Sequence, residues 1–327
     1  MLKVAIIGCG DIAGGYDQKK MDNLIRTHAK AFLLNENATM VAATDTNIKN
    51  LENFTEFWEI NKGYTNFNEM LDNNDLDILS ICTPPKNRFE VIKKAVDVGV
   101  KLIFCEKPLA ANSTEAKKIV EYCREKQTKI AVNYRRRWDP YHREIQKIIE
   151  NSTFGKPSTL QCNYLRGISN YGTHIIDLIH FWFGKIKWVW ANNRLMEKFE
   201  DPSLDVYLLT ESGIGCNLLS SHRQSFDLFE YTLIFDRAKF EFQDEGFVGN
   251  FYELSRNPYF DDLDIFKVKN SNRNLNNVFV NIIEQLCSCI DSDNEPYCNA
   301  NDGYRVLKIV DAIKESIKLD KKIFIDE

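Results

Sequence analysis

From Lys3 onward the chain alternates short apolar, β-branched runs with stretches whose apolar residues recur at helical spacing. The runs Lys3 to Ile7, Thr39 to Thr44, Asp77 to Cys82 and Val100 to Cys105 read as strands. The segments near Ala29 to Leu34, Asn47 to Phe57, Phe67 to Asp72 and Arg88 to Val98 read as helical crossovers. This alternation is the signature of βαβ units and a parallel sheet. Several of the strands are apolar at almost every position, which predicts helices on both faces. Asn112-Ser113-Thr114-Glu115 has the form of a helix cap and predicts a helix to about Lys126, the expected bridge out of a first domain over residues 1–122.

Beyond Lys129 the rhythm changes. One strand (Ile130 to Tyr134) and a helix after Pro140 precede strands broken by turns at Glu211-Ser212-Gly213 and Asp236-Arg237, which fit antiparallel pairing. Helical patterns over Val278 to Ile290 and Asp302 to Leu319 close the chain around a turn-rich stretch, residues 291–301. The predicted class is α/β: a doubly wound parallel sheet, then an α+β domain over residues 123–327 with an open, mainly antiparallel sheet.

Composition narrows the function classes. At 327 residues the chain is long enough for roughly two domains. With 42 Lys+Arg against 47 Asp+Glu, interleaved along the chain, no basic face suited to nucleic acid is expected. No apolar run approaches the ~18 residues of a membrane span. Met1 to Gly8 run straight into a strand without a cleavage site, so no signal peptide is expected. Nine scattered cysteines without a C-x-x-C pair are read as reduced core thiols in the cytoplasm, with no metal site.

Chemistry concentrates in three places. Gly8-Cys9-Gly10-Asp11-Ile12-Ala13 follows the first strand and matches G-x-G-x-x-G/A, in which glycines let a pyrophosphate approach backbone N–H groups at a helix start. Asp45 ends the second strand, where a carboxylate accepts from an adenosine ribose and repels a 2′-phosphate, favouring NAD over NADP. Its distance from the glycines exceeds the usual ~20 residues because residues 14–27 look like an insertion. Cys82-Thr83-Pro84-Pro85 and Glu106-Lys107-Pro108-Leu109 each break a strand at its C-terminal end, where ligands of open α/β sheets bind. A lysine held there between an apolar strand and a proline could orient a hydroxyl or share its proton.

The third place is Asn170-Tyr171-Gly172-Thr173-His174-Ile175-Ile176-Asp177. If Gly172 opens a helix, Asn170 and His174 lie at its mouth, with Asp177 one turn beyond His174. An imidazole with an ordinary pKa near 6.5 suits proton exchange with an alcohol, although on spacing alone a His–Asp packing contact serves as well. His180 is turned ~120° from His174, unlike the paired ligands of a zinc helix.

Taken in order, these motifs resemble the Gfo/Idh/MocA family of dinucleotide-dependent oxidoreductases over nearly the whole chain. Val132 to Pro140, which includes Arg135-Arg136-Arg137-Trp138, and Asp302-Gly303 before the last helix belong to the resemblance. It implies a Rossmann domain and hydride exchange between a nicotinamide and a sugar, cyclitol or nucleotide-linked sugar. It also implies Gly8, Gly10, Asp11, Ile12, Asp45, Thr83, Pro84, Glu106 and Lys107 at the cofactor, and Lys107 and His174 as catalytic residues. Arg135, Arg137, Asn170 and Asp177 would lie near the substrate. A homodimer or homotetramer through the second sheet is implied as well.

Three departures set this chain apart. Asn170 stands where inositol-dehydrogenase-like members carry an Asp four residues before the His, and an amide cannot relay a proton. Arg88 stands where the Thr-Pro-x-x-x-His stretch has its His, and is read as a solvated surface residue rather than an inward one suited to an anion. The stretch from Gly155 to His174 is shorter and residues 14–27 longer than in many relatives. Two other readings stay open: a dinucleotide-binding protein without turnover, and a glycosidase or lyase that recycles its NAD.

Overall fold

The computed structural model describes residues 1–20, 22–222, 226–260, 263–273, 275 and 278–326. By its contacts the chain divides into two compact units, Met1–Trp138 with Asn276–Leu307, and Asp139–Leu275 with Lys308–Glu327.

The first unit is built on six parallel strands: β1 (Leu2–Ile7), β2 (Ala38–Thr44), β3 (Gly63–Tyr64), β4 (Ile78–Ile81), β5 (Leu102–Cys105) and β6 (Lys129–Val132), in the order β3-β2-β1-β4-β5-β6. The order reverses between β1 and β4, the switch point at which open α/β sheets bind ligands. Val4, Ala5 and Ile6 and all of β4 and β5 are buried, so helices cover both faces as the unbroken apolar runs require. The helices α1 (Tyr16–Lys19), α2 (His28–Leu33), α3 (Ile48–Phe57), α4 (Phe67–Asp72), α5 (Arg88–Asp97) and α6 (Ser113–Lys126) supply the crossovers.

Local chemistry sets several of their starts. Asn47 Oδ1 accepts from Lys49 N at 3.0 Å, Asn66 Oδ1 from Asn68 N at 2.8 Å and Asn112 Oδ1 from Glu115 N at 2.9 Å. Each such cap stabilises its helix by about 1 kcal/mol. The cap expected at Asn112 to Glu115 is therefore present, and Glu115 reaches back to Ala111 N at 3.2 Å.

The boundary expected after residue 122 falls inside α6, and the first sheet gains β6 beyond it. Helix α9 (Val278–Ile290) and the first part of α10 (Ala300–Leu319) also return to this unit. Val132 N donates to Cys298 O at 3.0 Å, and a Cβ on Gly303 would lie 3.0 Å from Leu109 and Val132 side chains, so α10 starts against β6 only because that residue is glycine.

The second unit holds α7 (Pro140–Glu150), β7 (Pro157–Tyr164), α8 (Thr173–Phe183), β8 (Ile186–Asn192), β9 (Asp205–Thr210), β10 (Gly215–Ser220), β11 (Phe229–Phe235), β12 (Ala238–Gln243), β13 (Val248–Arg256), β14 (Asp264–Arg273) and β15 (Ile323–Phe324). Its nine strands run β14-β13-β12-β11-β7-β10-β9-β8-β15, antiparallel except for β10 beside β7. The turns expected at residues 211–213 and 236–237 connect β9 to β10 and β11 to β12. Alternate residues of β11, Phe229, Tyr231, Leu233 and Phe235, are buried, so one face is the core.

That core encloses a polar string. His142 Nδ1 lies 2.6 Å from Asp139 Oδ2 and its Nε2 2.5 Å from the Tyr231 hydroxyl, with the imidazole stacked on Trp182 at 5.8 Å between ring centres. Burial raises the Asp139 carboxyl, but the charge and bonds of His142 and the Leu275 N–H together outweigh it, leaving it below the ordinary value. On the other face Trp190, Tyr207 and Leu219 are exposed, and Trp188 packs edge-on to Tyr207.

Candidate active site

The glycine turn after β1 is closed by the carboxylate at the end of β2. Asp45 Oδ2 accepts from Cys9 N at 2.8 Å, and its Oδ1 accepts from Asn47 N at 2.8 Å. Gly8 has φ +88° and a Cβ there would meet Thr83 Cγ2 at 3.0 Å, so this position needs glycine. At Gly10 an added Cβ would meet nothing within 4 Å, leaving space for a ligand to approach the backbone. Asp11 to Gly15 form a single π-helical turn whose N-cap, Gly10, makes no side-chain capping bond, so its first N–H groups have no such partner.

A cleft of about 580 Å³ opens beside this turn, along the C-terminal ends of β1, β2, β3 and β4. Gly8, Asp45, Thr65, Asn66, Thr83 and Lys86 are among its walls. The glycine turn, the open space at Gly10 and a carboxylate at the end of β2 fit an adenine dinucleotide laid across the switch point. Asp17 and Lys19 of the inserted segment are tied to their neighbours. The buried Asp17 carboxylate accepts from Arg26 N at 3.0 Å and Thr27 Oγ1 at 2.7 Å, and Lys19 Nζ lies 2.5 Å from Asp11 Oδ1.

At the end of β5, Glu106 is bound through both its backbone and its side chain. Its N–H donates to Ile81 O at 2.9 Å, and its Oε1 accepts from Asn133 Nδ2 at 2.6 Å and lies 3.0 Å from His28 Nε2. The other ring nitrogen of His28 lies 2.8 Å from Ser80 Oγ, and the imidazole stacks on Phe104 at 4.4 Å. His28 is wholly buried. Burial opposes its charged form, but the Cys82 thiol and the Glu106 carboxylate outweigh it and push the imidazole up to about 10. Burial likewise raises Glu106, but the bonds from His28 and Asn133 and the nearby charges of His28 and Lys107 together outweigh it and hold the carboxyl below the ordinary 4.5. Lys107 follows this anchored residue, partly exposed, with a cis bond to Pro108.

Arg88, expected on the surface, is 1% exposed. Its guanidinium donates to the carbonyls of Thr83, Glu106 and Pro108. Arg88 turns inward because α5 begins where the β4 and β5 loops leave the sheet, and their carbonyls have no strand partner there. Arg137 is also buried and is paired with Asp302 Oδ2 at 3.1 Å, which explains the Asp302-Gly303 element as a side-chain anchor followed by a close contact. Arg135 is half-buried in the 3-10 turn after β6.

In the second unit, α8 opens at Thr173 with Gly172 as its N-cap, as a helix opened by Gly172 requires. Ile168–Gly172 form a π-helical turn that runs into it. Asp201 caps this turn, accepting from Ser169 N at 2.9 Å and Asn170 N at 3.1 Å. Asn170 and His174 are partly exposed there, whereas Asp177 is 1% exposed within α8. The His174 ring meets Phe229 edge-on at 6.2 Å.

Sequence reasoning missed His28, Ser80, Asn133 and Asp201. Ser80 inside an otherwise apolar strand and Asn133 just after one were the available signals, since a buried polar residue needs a partner. Asp201 lies in a loop with no pattern of its own.

Family comparison settles the ancestry of both units. Residues 2–134 match the model of the oxidoreductase family with an NAD-binding Rossmann fold, and residues 168–325 match that family's C-terminal alpha/beta domain. The chain belongs to the Gfo/Idh/MocA family. Among similar proteins, D-apiose dehydrogenase of Paraburkholderia graminis is 24% identical over 255 residues, covering 71% of this chain and 64% of that protein. Myo-inositol 2-dehydrogenase of Thermotoga maritima is 23% identical over 160 residues, 49% of this chain and 44% of that protein. The chain thus spans less than two thirds of the length of these curated relatives. An NAD binding oxidoreductase from Klebsiella pneumoniae shares the fold, with a TM-score of 0.83 at 16% identity over 100% of this chain and 99% of that one. Among the described residues of this Gfo/Idh/MocA chain, no helix is long and apolar enough to cross a membrane and no group of His, Cys, Asp and Glu is arranged to hold a metal ion.

Proposed function

We propose that the protein is an NAD-dependent oxidoreductase of a sugar or nucleotide-sugar, exchanging a hydride between nicotinamide and a hydroxyl or ketone carbon. The observation that carries this reading is the cleft at the switch point, walled by Gly8, Asp45 and Thr83, beside a glycine turn that Asp45 closes. NAD supplies the redox chemistry when bound. Asp45 keeps lone pairs for a ribose diol while already holding the glycine turn, which favours NAD over NADP. Thr83, Pro84 and Glu106 shape the nicotinamide end, and Gly8, Gly10, Asp11 and Ile12 the pyrophosphate end.

Lys107 Nζ is assigned to the reacting oxygen, where a cation lowers the energy of a developing alkoxide. His174 at the start of α8 is assigned the proton, with Asn170 as its hydrogen-bonding neighbour and Asp177 as orienter or substrate contact. Arg135 is placed toward the substrate and Arg137, already paired with Asp302, acts there through packing. The names of the relatives, which include dehydrogenases of apiose and inositol, support a polyhydroxylated substrate. The exposed Trp190, Tyr207 and Leu219 of the second sheet support a second copy of this chain as its cover, giving a dimer or tetramer. Nine free cysteines support a reducing compartment, the cytoplasm.

The test is titration calorimetry with NAD(H) and NADP(H), followed by a screen of keto-sugars and nucleotide keto-sugars for loss of the reduced-nicotinamide absorbance. One productive substrate with an NAD(H) preference is expected. Tight cofactor binding with no turnover would turn the reading to a dinucleotide-binding protein, which Asn170 in place of an acidic relay favours. No binding of either cofactor would remove both.

A further inference from the structure

The guanidinium of Arg88 is buried, and among the described residues no carboxylate pairs with it. Its hydrogen bonds go to three backbone carbonyls: Thr83 O at the end of β4, and Glu106 O and Pro108 O at the end of β5. A charge taken out of water without an anion is costly, so carbonyl dipoles alone must offset its lost hydration. Two of those carbonyls bracket Lys107, one from the residue before it and one from the residue after. The third belongs to the Thr83-Pro84 loop on the neighbouring strand. A planar fork with donors at fixed angles can span two loops in this way, whereas a lysine ammonium presents one point charge.

We propose that Arg88 is the positioning residue of the reaction: it clamps the backbone on both sides of Lys107 to the Thr83 loop and thereby sets where the Lys107 ammonium stands. The sheet does this only in part: Glu106 N still donates to Ile81 O, but β4 ends at Ile81 and β5 at Cys105, so Thr83 and Pro108 lie past the last strand partners. Glu106 is secured from below by His28 and Asn133, but those bonds hold the residue before Lys107 and leave Pro108 to Arg88. The proposal rests on the assignment of Lys107 to the reacting oxygen.

The experiment uses the full chain with Arg88→Lys, Arg88→Ala and, for comparison, Lys107→Ala. With a productive substrate in hand, both Arg88 variants are expected to bind NADH within about threefold of wild type while kcat falls about 100-fold, the size of effect a displacement of about 1 Å produces. Guanidinium ion at millimolar concentration is expected to restore about tenfold of that loss in Arg88→Ala and none in Lys107→Ala. A kcat within about twofold of wild type, or a loss of NADH affinity equal to the loss in kcat, overturns the proposal. Amide hydrogen exchange needs no substrate and separates this inference from the enzyme reading. Faster exchange confined to residues 83–87 and 106–110 in Arg88→Lys supports the clamp even if no carbohydrate is turned over, and unchanged exchange there overturns it.

Discussion

Lys107 and His174, the residues assigned to the reacting oxygen and to the proton, are anchored by different physics. The support of Lys107 is buried and ionic: Arg88 on the carbonyls at either side, and the His28–Glu106 pair with Ser80 and Asn133 beneath. Every member of that network comes from a different element, so the loop is fixed only when β4, β5, β6, α2 and α5 are all in place. The turn that leads to His174 is partly exposed. One carboxylate, Asp201, caps the turn that leads into α8, and an edge-on ring from Phe229 sets the side of the imidazole. The contrast teaches where precision is kept: the loop proposed to carry the cation is tied by a buried network drawn from five elements, and the turn before His174 by a partly exposed carboxylate.

The largest test of the comparison removes the groups themselves. Lys107→Met is expected to lower turnover by about 10³ to 10⁴-fold and His174→Asn by about 10² to 10³-fold, with melting temperatures near wild type in both. Steady-state rates and thermal melts check this, and equal losses in the two would erase the asymmetry. Next comes the buried pair. Glu106→Ala leaves the His28 imidazole without its carboxylate and is expected to destabilise the first unit by about 3 kcal/mol, read from denaturant unfolding.

The same pair fixes a pH window. The folded His28 is raised above its ordinary 6.5, so its contribution is complete below 6.5 and fades as pH climbs through about 10. Glu106 is lowered, so its contribution is complete above 4.5 and fades as pH falls below that value. Stability is therefore expected to be flat from about 5 to 6.5 and to fall on both sides. In Glu106→Ala the alkaline arm should shift toward neutral pH, and an alkaline arm identical to wild type would contradict the pairing. A smaller effect is expected at Asp45. Because its carboxylate also holds Cys9 N, Asp45→Ala should lose about tenfold in NADH affinity without gaining NADPH affinity, measured by calorimetry.

The part of this arrangement that was legible in the sequence is the part carried by short, ordered motifs. The glycine turn, Asp45, the Thr83-Pro84 and Glu106-Lys107 breaks and the Asn112 cap each depend on residues a few positions apart, so spacing alone exposes them. Arg88 was misjudged because a lone arginine at the head of an amphipathic helix looks the same whether its guanidinium points to water or to three carbonyls. His28 and Asn133 lie 78 and 27 residues from Glu106, and no local pattern links them. The domain boundary was misplaced for the same reason: that α9 and the head of α10 return to the first unit is decided by Gly303 against Leu109 and Val132, contacts separated by well over a hundred residues.

The smallest expected effect tests the substrate-side anchor alone. Asp201 binds two N–H groups of the turn before α8, and its side chain packs so tightly on Gly167 that a Cβ there would lie 2.1 Å from Asp201 Oδ2. Asp201→Ala removes both bonds, and a lost helix cap costs about 1 kcal/mol, because water can reach the freed N–H groups of a partly exposed turn. The melting temperature should fall by a few degrees and turnover by no more than about tenfold, since the α8 core formed by Ile175, Ile176 and Leu178 still carries His174. Gly167→Ala should cost more than Asp201→Ala, for φ is +90° there and the new methyl drives into the carboxylate. Combining the two should then cost less than their sum, because without the carboxylate the methyl has room and only the backbone strain remains. Strict additivity in the double variant would mean that Asp201 does not pack on Gly167, and with it the local anchoring of His174 would lose its support.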